Sequence, residues 1–244
     1  MHRVTRFLAP ALAVAALCSS AWAAEKEKEG PWKSHMELSY AQTNGNTDTK
    51  TFAGKLETSL DLSPNRYYLK AGGLYGEDDG DKTASRWLAD GRYERAFTER
   101  FFGFLTASYL KDTFSGYDSR ISAGPGIGYD IVKTEDHLLK GLLGILYSWD
   151  NLTDGTTDDY ASGKAAIDYA WQITKALKFK QYADYLQSLE DSDIYFANSV
   201  TALEAKVASA VSLGLSFLVN YQHEPPNDLK NTDTRFLTSL IVDF

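Results

Sequence analysis

The sequence predicts an all-β protein: an antiparallel, up-and-down transmembrane β-barrel of 12 strands, of the outer-membrane type. The first observation is that apolar and polar residues alternate with period 2 from Trp32 onward, which sends neighbouring side chains to opposite faces of a strand. The second is that the alternating segments are roughly ten residues long and even in number, as in outer-membrane barrels. The third is that short turns and longer polar connections follow one another in strict alternation.

Composition excludes several other classes of protein. The 244 residues include 25 Lys and Arg against 33 Asp and Glu, a formal net charge of −8. Because phosphate binding needs a basic face, no nucleic-acid partner is expected. After the N-terminus the longest apolar run covers residues 141–147, far short of the ~18 residues that a transmembrane helix needs.

Residues 1–23 are predicted to be a cleaved signal peptide. Arg3 and Arg6 precede an apolar run over residues 7–17, and Ala21 and Ala23 supply the small side chains that a signal peptidase reads. We therefore expect an exported protein.

Two further segments complete the predicted organisation. Residues 24–31 are charged and aperiodic, which predicts a flexible periplasmic leader, and residues 32–244 are predicted to form the barrel. The single cysteine, Cys18, lies within the predicted signal peptide, so the mature chain is expected to contain no cysteine. A lipidated Cys18 is an alternative, although residues 15–17 form a poor lipoprotein signal.

The predicted strands follow one another along the barrel segment. In residues 211–221 every second position is Val, Leu, Phe or Tyr, and the positions between them are mostly Ser, Gly or Asn. The full set of predicted strands is 32–40, 52–61, 66–75, 86–94, 101–111, 119–131, 137–149, 161–172, 176–189, 194–207, 211–221 and 233–244.

A soluble β-sandwich also produces alternation, but two features favour the barrel. Sandwich strands are nearer ~5–6 residues, about half the length of these segments. In addition, aromatic residues lie near the segment ends, as Trp32 and Tyr40 do in the first strand, which is the placement of an interfacial aromatic girdle.

The polar face of the strands predicts a charged lumen. Since these side chains carry both signs, we expect them to pair across a small bore and to fill it. Barrels of about 8 strands are filled by side chains and those of about 16 hold open channels, so a narrow channel is the alternative. The predicted network comprises Lys55, Glu57, Lys70, Arg86, Asp90, Arg92, Glu94, Arg120, Asp130, Lys164, Asp168, Lys178, Lys180 and Asp184.

Pro125 interrupts the sixth predicted strand, where it cannot donate a ladder hydrogen bond. We expect a β-bulge there, with Gly124 and Gly126 absorbing the bend; a constriction of the lumen is the alternative interpretation.

The longer connections are expected over residues 44–48, 76–83, 112–118, 150–159, 190–193 and 222–233. They contain far more Asp and Glu than Lys and Arg. They are candidates for sharing divalent cations with lipopolysaccharide phosphates, although solubility alone also explains such loops. Asp78, Asp79 and Asp81 are weak metal candidates, because their segment resembles a calcium loop but lacks the later bidentate Glu.

The sequence offers little for catalysis. His35, His137 and His223 fall in different segments, and the Gly-x-Ser-x-Gly motif is absent. We expect no enzyme and no cofactor; an outer-membrane hydrolase is the less favoured alternative.

Several segments resemble a known family. Gly30-Pro31-Trp32, residues 36–40 and 43–49, the glycine-rich residues 123–129 and the last loop and strand at Pro225-Pro226 and residues 230–234 are similar to domain of unknown function 481. This family includes the YdiY-like salt-induced outer-membrane proteins. The resemblance implies a location in the outer membrane of a Gram-negative bacterium and assigns no catalytic residue.

The sequence thus predicts a monomeric barrel with a structural or envelope-stress-related role, or alternatively a narrow channel for ions or small solutes. The expected partners are outer-membrane lipid, lipopolysaccharide and, during biogenesis, the barrel-assembly machinery. Phe244, on the same face as Leu240 and Val242, resembles the C-terminal signal which that machinery recognises.

Overall fold

The computed structural model describes residues 30–43, 49–225 and 230–244, which form a closed barrel of twelve antiparallel strands. Each strand pairs with its neighbours in sequence, and the first pairs with the last, so the predicted fold class is confirmed. The strands are β1 (Trp32–Thr43), β2 (Thr49–Leu62), β3 (Asn65–Asp78), β4 (Asp81–Ala96), β5 (Phe101–Asp112), β6 (Tyr117–Lys133), β7 (His137–Leu152), β8 (Thr157–Thr174), β9 (Leu177–Ser188), β10 (Tyr195–Lys206), β11 (Val211–Gln222) and β12 (Thr232–Asp243).

Some predictions fall outside the described residues. These are the signal peptide at residues 1–23, the leader apart from residues 30 and 31, the tip of the first connection at residues 44–48, and residues 226–229. Within the described part of the chain there is no helix long and apolar enough to cross a membrane.

The outer surface carries the large apolar side chains. Aromatic contacts form two belts on it, one near each end of the barrel, as the alternation predicts. Near the end where β1 begins and β12 ends, here called the proximal end, Tyr67 and Tyr93 lie 5.3 Å apart between ring centroids. Near the opposite, distal end, the ring centroids of Tyr147 and Trp149 lie 4.8 Å apart. Tyr195 lies between Tyr185 on β9 and Tyr221 on β11, with each pair of ring centroids 5.8 Å apart.

Three of the distal connections are shorter than the sequence suggested. The connection expected over residues 76–83 is a tight hairpin, in which Asp79 and Gly80 both have positive φ and strands β3 and β4 run to the turn. Likewise, the connections expected over residues 112–118 and 150–159 contract to residues 113–116 and 153–156. The expected lengths were wrong because the ladders continue through polar residues, which the hydrophobic pattern had assigned to loops.

The bulge expected at Pro125 is also wrong. Leu105 lies opposite Pro125 in the β5–β6 ladder, and the register of β6 with β7 is the same before and after this residue. The β6–β7 ladder shifts instead near Tyr117 and near Asp130. Pro125 lies on the outward face, and its missing donor falls on the side of β7, so the strand tolerates it without inserting a residue.

The seam between β1 and β12 closes the barrel. Its ladder runs from His35 opposite Asp243 to Ser39 opposite Ser239, and Phe244 adds two backbone hydrogen bonds to Ser34. This ladder is much shorter than that between β1 and β2, which extends from Trp32 to Thr43.

Candidate functional site

The candidate site is the lumen, where the polar faces of all twelve strands meet. The residues predicted to form a charged network occupy the face opposite to the exposed aromatic and aliphatic side chains. For example, Arg86, Asp90, Arg92 and Glu94 alternate along β4 with the outward-facing Trp87. Parity therefore places the whole predicted set on the inner wall.

The structure brings some members of this set into direct contact. Lys55 lies 3.7 Å from Glu57, Arg92 lies 3.0 Å from Glu94, and Lys164 lies 3.3 Å from Asp184, each between charged atoms. Four other members have an oppositely charged residue directly across a ladder. Lys70 and Asp90 lie opposite each other. Asp168 lies opposite Lys140 and Lys178 lies opposite Glu204, and neither Lys140 nor Glu204 belongs to the predicted set.

The remaining members pair with residues outside the predicted set; they are Arg86, Arg120, Asp130 and Lys180. Lys55 also reaches Glu37 at 2.6 Å and Lys180 reaches Glu204 at 2.5 Å. The other pairs are Arg66 with Glu94, Arg86 with Asp112, Arg120 with Asp150 and Lys133 with Asp130.

These ion pairs lie along the wall, not across the bore. Arg86 on β4 pairs with Asp112 on β5, and Arg66 on β3 pairs with Glu94 on β4. Each ion pair recorded among the described residues joins neighbouring strands or lies within one strand. The expectation that opposite charges close the lumen by pairing across it was therefore wrong. Adjacent inward positions are ~5 Å apart, so neighbouring strands satisfy the charges first.

One group of contacts that cross the bore lies at the distal end. The Arg120 guanidinium on β6 donates to both carboxylate oxygens of Asp150, at 2.7 and 2.6 Å. The same group lies 4.1 Å from the ring centroid of Phe196 on β10, a strand separated from β6 by β7, β8 and β9. A desolvated cation over an aromatic face is attracted by the ring quadrupole.

A second set of contacts reinforces this crossing. The Gln222 amide on β11 donates to the hydroxyl of Tyr117 on β6 at 2.5 Å, and the Tyr117 ring also lies 4.1 Å from the Arg120 guanidinium. We call Tyr117, Arg120, Asp150, Phe196 and Gln222 the distal constriction. These contacts join β6 to β10 and β11 across the distal part of the lumen.

The interior between this constriction and the proximal end is partly apolar. Phe102, Leu142 and Ala166 form a buried cluster, against which Phe104 and Tyr182 pack. The rings of Phe102 and Phe104 occupy the space above Gly128 and Gly126, where an added Cβ would lie 2.2 and 2.1 Å from ring carbon. Aromatic side chains of β5 therefore fill the part of the lumen where the glycines of β6 have no side chain. The pattern of charges in the sequence did not indicate this cluster. The signal that could have indicated it is that Phe102 and Phe104 lie opposite glycines of the adjacent strand.

A chain of side-chain hydrogen bonds, here called the polar ladder, runs along the inner wall from β12 to β8. Arg235 donates to Asn220 at 3.1 Å, Asn220 donates to Asn198 at 2.7 Å, and Asn198 donates to Asp184 at 2.9 Å. Lys164 completes the ladder at Asp184. Each group here has a partner on the wall, so the ladder lines the lumen without projecting an unpaired charge.

The described residues do not assemble a metal site. No three His, Cys, Asp or Glu side chains in that part of the chain converge on a common point, and Asp78, Asp79 and Asp81 follow one another around the β3–β4 hairpin. His35 contacts Asp243, whereas His137 contacts Tyr169 on the outer surface.

Comparison with known proteins decides the family. The family model described as "Protein of unknown function, DUF481" matches residues 36–244. The chain belongs to the DUF481 family. The uncharacterized protein YdiY of Escherichia coli K12 is 24% identical over 211 residues, which cover 86% of this chain and 82% of YdiY. The resemblance noted in the sequence is thus confirmed.

Solved structures share the architecture of this DUF481 barrel. The COG4313 outer-membrane channel from Pseudomonas putida F1 aligns with a TM-score of 0.55 at 8% identity, over 90% of this chain and 97% of that channel. The NanC porin aligns with a TM-score of 0.51 at 9% identity, over 86% of this chain and 97% of NanC. The translocator domain of the autotransporter NalP from Neisseria meningitidis aligns with a TM-score of 0.50 at 8% identity, over 96% and 95%. At such identities the likeness shows the outer-membrane barrel fold alone.

Proposed function

We propose that this DUF481 protein is a structural barrel of the outer membrane, with a role in the envelope or in its response to stress, whose lumen does not conduct ions in its resting state. The observation that carries the proposal is the distal constriction, in which Arg120 on β6 packs on Phe196 on β10. Arg120 also binds Asp150, so it is held in place by residues of both walls.

Two further features support a closed lumen. Phe102 and Phe104 fill the space beside the inner face of β6, and Lys140 on β7 lies 5.8 Å from the ring of Tyr68 on the facing strand β3. Wall charges are matched by neighbours of opposite sign, so the lumen has few unpaired charges that would attract a permeating ion.

Planar-bilayer recording of the purified barrel tests the proposal. We expect negligible current from the natural sequence and a measurable current from Arg120→Ala, because the substitution removes a long side chain of the distal constriction and its contact with Phe196 across the bore. Lys111→Ala is the matched control, since Lys111 forms an exposed ion pair with Asp118 at the distal rim. A large, stable current from the natural sequence would contradict the closed state.

The second candidate is a narrow channel for ions or small solutes, and the distal turns favour it. They carry Asp154, Glu190, Asp191 and Asp193, an acidic rim that concentrates cations at the entrance. If a current flows, we expect it to prefer small cations. In that case Arg86→Ala and Arg92→Ala would change it less than Arg120→Ala, since both arginines pair along the wall.

The expected partners follow from the same proposal. The two aromatic belts suit an outer-membrane bilayer with phospholipid on one side and lipopolysaccharide on the other. The acidic rim is proposed to share divalent cations with lipopolysaccharide phosphates. We propose a monomer that is exported by its signal peptide, is inserted by the barrel-assembly machinery, and has no enzymatic activity, cofactor or nucleic-acid partner.

A further inference from the structure

A groove crosses the outer surface of the barrel between β5 and β9. Its volume is about 550 Å³. The small residues Gly141, Ala165 and Ala183 line it on three neighbouring strands, and the larger, exposed side chains of Ile127 and Tyr185 line it as well. Because small residues leave room where their larger neighbours protrude, the wall has a depression on the face that meets lipid.

The groove runs from the proximal end of the barrel towards the distal end. Phe101, which lines it on β5, is the first residue of that strand. Tyr185, which lines it on β9, belongs to the distal aromatic belt, since its ring centroid lies 5.8 Å from that of Tyr195. Strands lie ~4.8 Å apart, so the path from β5 to β9 is about 19 Å long. A volume of about 550 Å³ holds a chain of about 18 groups of the size of water, each ~30 Å³.

Two arginines lie at the proximal end of this groove. Arg100 directly precedes Phe101, and Arg95 lies opposite Gly103, which in turn lies opposite Ile127. Both arginines are exposed, and neither side chain has an ion pair or a hydrogen bond with the residues that the structure describes. A guanidinium is a planar fork of N–H donors that matches phosphate. The proximal end of the groove therefore offers two free phosphate ligands.

Charge and position select the head group. Outer-membrane barrels place their termini in the periplasm, so the proximal end meets the leaflet of phospholipid. The next proximal turn carries Glu135 and Asp136, which repel phosphate and so favour the β4–β5 turn for the head group. At the distal end the rim is acidic, with Glu190 and Asp191 close to the end of β9, and it offers phosphate no such ligands.

We propose that this groove is a binding site for one phospholipid of the periplasmic leaflet. Its phosphate binds Arg95 and Arg100, and one acyl chain lies along Gly141, Ala165 and Ala183. The chain then runs from its head group towards the middle of the bilayer, which is the direction of the groove. This goes beyond the closed lumen and does not depend on it, because the groove lies on the outer surface.

Native mass spectrometry of the barrel in detergent, with added phosphatidylglycerol, tests the head-group contacts. We expect one tightly bound phosphatidylglycerol for each natural barrel. Arg95→Gln with Arg100→Gln should weaken its binding about 25-fold, since a basic residue beside an anionic lipid contributes about fivefold to affinity. Lys175→Gln with Lys206→Gln is the matched control, because both lysines are exposed at the proximal end and neither lines the groove.

Filling the groove tests the acyl-chain contacts. Ala165→Leu with Ala183→Leu places two large side chains in the groove and leaves the outer surface apolar, so folding should be preserved. Ala89→Leu with Ala107→Leu adds the same groups at exposed positions of β4 and β5 outside the groove. We expect the first pair to lose the bound lipid and the second to retain it, with both proteins folded and heat-modifiable.

Each part of the proposal has its own contrary result. A natural barrel that retains no phosphatidylglycerol overturns the site, and equal binding by the arginine and lysine pairs overturns the head-group contacts. Equal retention by the two alanine pairs overturns the groove. Displacement of phosphatidylglycerol by an equal amount of lipid A overturns the assignment to phospholipid. Current through the lumen affects none of these results, so the lipid site and the closed lumen fail independently.

Discussion

Arg120 shows how one inward side chain combines stability with closure. Its guanidinium binds Asp150, whose side chain is almost fully buried. Arg120→Met leaves that carboxylate buried without its cation, and breaking a buried pair in this way costs about 3–5 kcal/mol. We expect a loss of this size in the free energy of unfolding, measured by urea titration of the folded barrel with tryptophan fluorescence.

The double variant separates charge from packing. Arg120→Met with Asp150→Leu removes both charges, so it should recover part of the lost stability, since the unpaired carboxylate is gone. A double variant as unstable as the single one would show that the aromatic contacts of Arg120 matter more than its ion pair.

Gly124 marks a close approach of two strands. A Cβ at this position would lie 2.0 Å from the carbonyl oxygen of Ile145 on β7, closer than real Cβ contacts. Gly124→Ala must push β6 from β7, and overpacking of this kind costs about 1–3 kcal/mol or more. We expect a smaller heat-modifiable fraction on electrophoresis, while Gly163→Ala, whose Cβ would meet nothing closer than 3.9 Å, folds normally.

At the level of residues, the sequence predicted on which face of the wall a side chain lies but not which residue it would pair with. A period of 2 is enough to assign Arg120 or Lys180 to the inner face. It does not give the register, so it did not indicate that Lys180 would meet Glu204 or that Arg120 would meet Asp150. Asp112 and Asp150 were also placed in connections, although both end up on inward strand positions.

The last strand, β12, closes the barrel against β1 and carries the predicted assembly signal at Phe244. Phe244 donates to the carbonyl of Ser34 at 3.0 Å and accepts from its amide at 2.8 Å, and its side chain is 67% exposed on the outer surface. Deleting Phe244 removes both hydrogen bonds from an already short seam, so less folded, heat-modifiable protein should accumulate in cells. Deleting residues 25–29 should have no such effect.

A substitution distinguishes the two roles of Phe244. Phe244→Ala keeps the backbone hydrogen bonds and removes the aromatic ring. If the ring acts as an assembly signal, Phe244→Ala should lower folded protein in cells as much as the deletion while refolding normally from urea into detergent. Normal accumulation in cells would remove the assembly role from the ring.

At the level of elements, strand number and order followed from the sequence, whereas strand ends did not. Inside the bilayer an outward position must be apolar, so the alternation is sharp between Trp87 and Tyr93. Beyond the bilayer both faces meet water, and the pattern no longer distinguishes a strand from a loop. This is why β3 and β4 were cut short by several residues at the Asp79-Gly80 turn.

For the whole molecule, closure into a barrel was predictable because twelve amphipathic strands with one apolar face leave no other way to satisfy their edges in a membrane. The short length of the β1–β12 ladder was not predictable. It depends on how the register set at Ser39 and Ser239 continues, and neither the hydropathy nor the charge of residues 40–43 carries that information.

The orientation of the barrel in the membrane is the property of the whole molecule that a labelling experiment decides. Both ends of the β-barrel lie at its proximal end, and outer-membrane barrels place their termini in the periplasm. The distal turns, with Asp154 and Glu190, should therefore face the outside of the cell. An epitope inserted within residues 153–156 should bind antibody on intact cells, since it lies in a four-residue turn and interrupts no strand.

The matched control is the same epitope within residues 134–136, the proximal turn between β6 and β7. It should be detected only after the outer membrane is permeabilised. Labelling of the proximal epitope on intact cells would invert the orientation, and recovery of either protein in the soluble periplasmic fraction would contradict membrane insertion. Because both insertions flank β7, a difference between them reports the side of the membrane and not a general loss of folding.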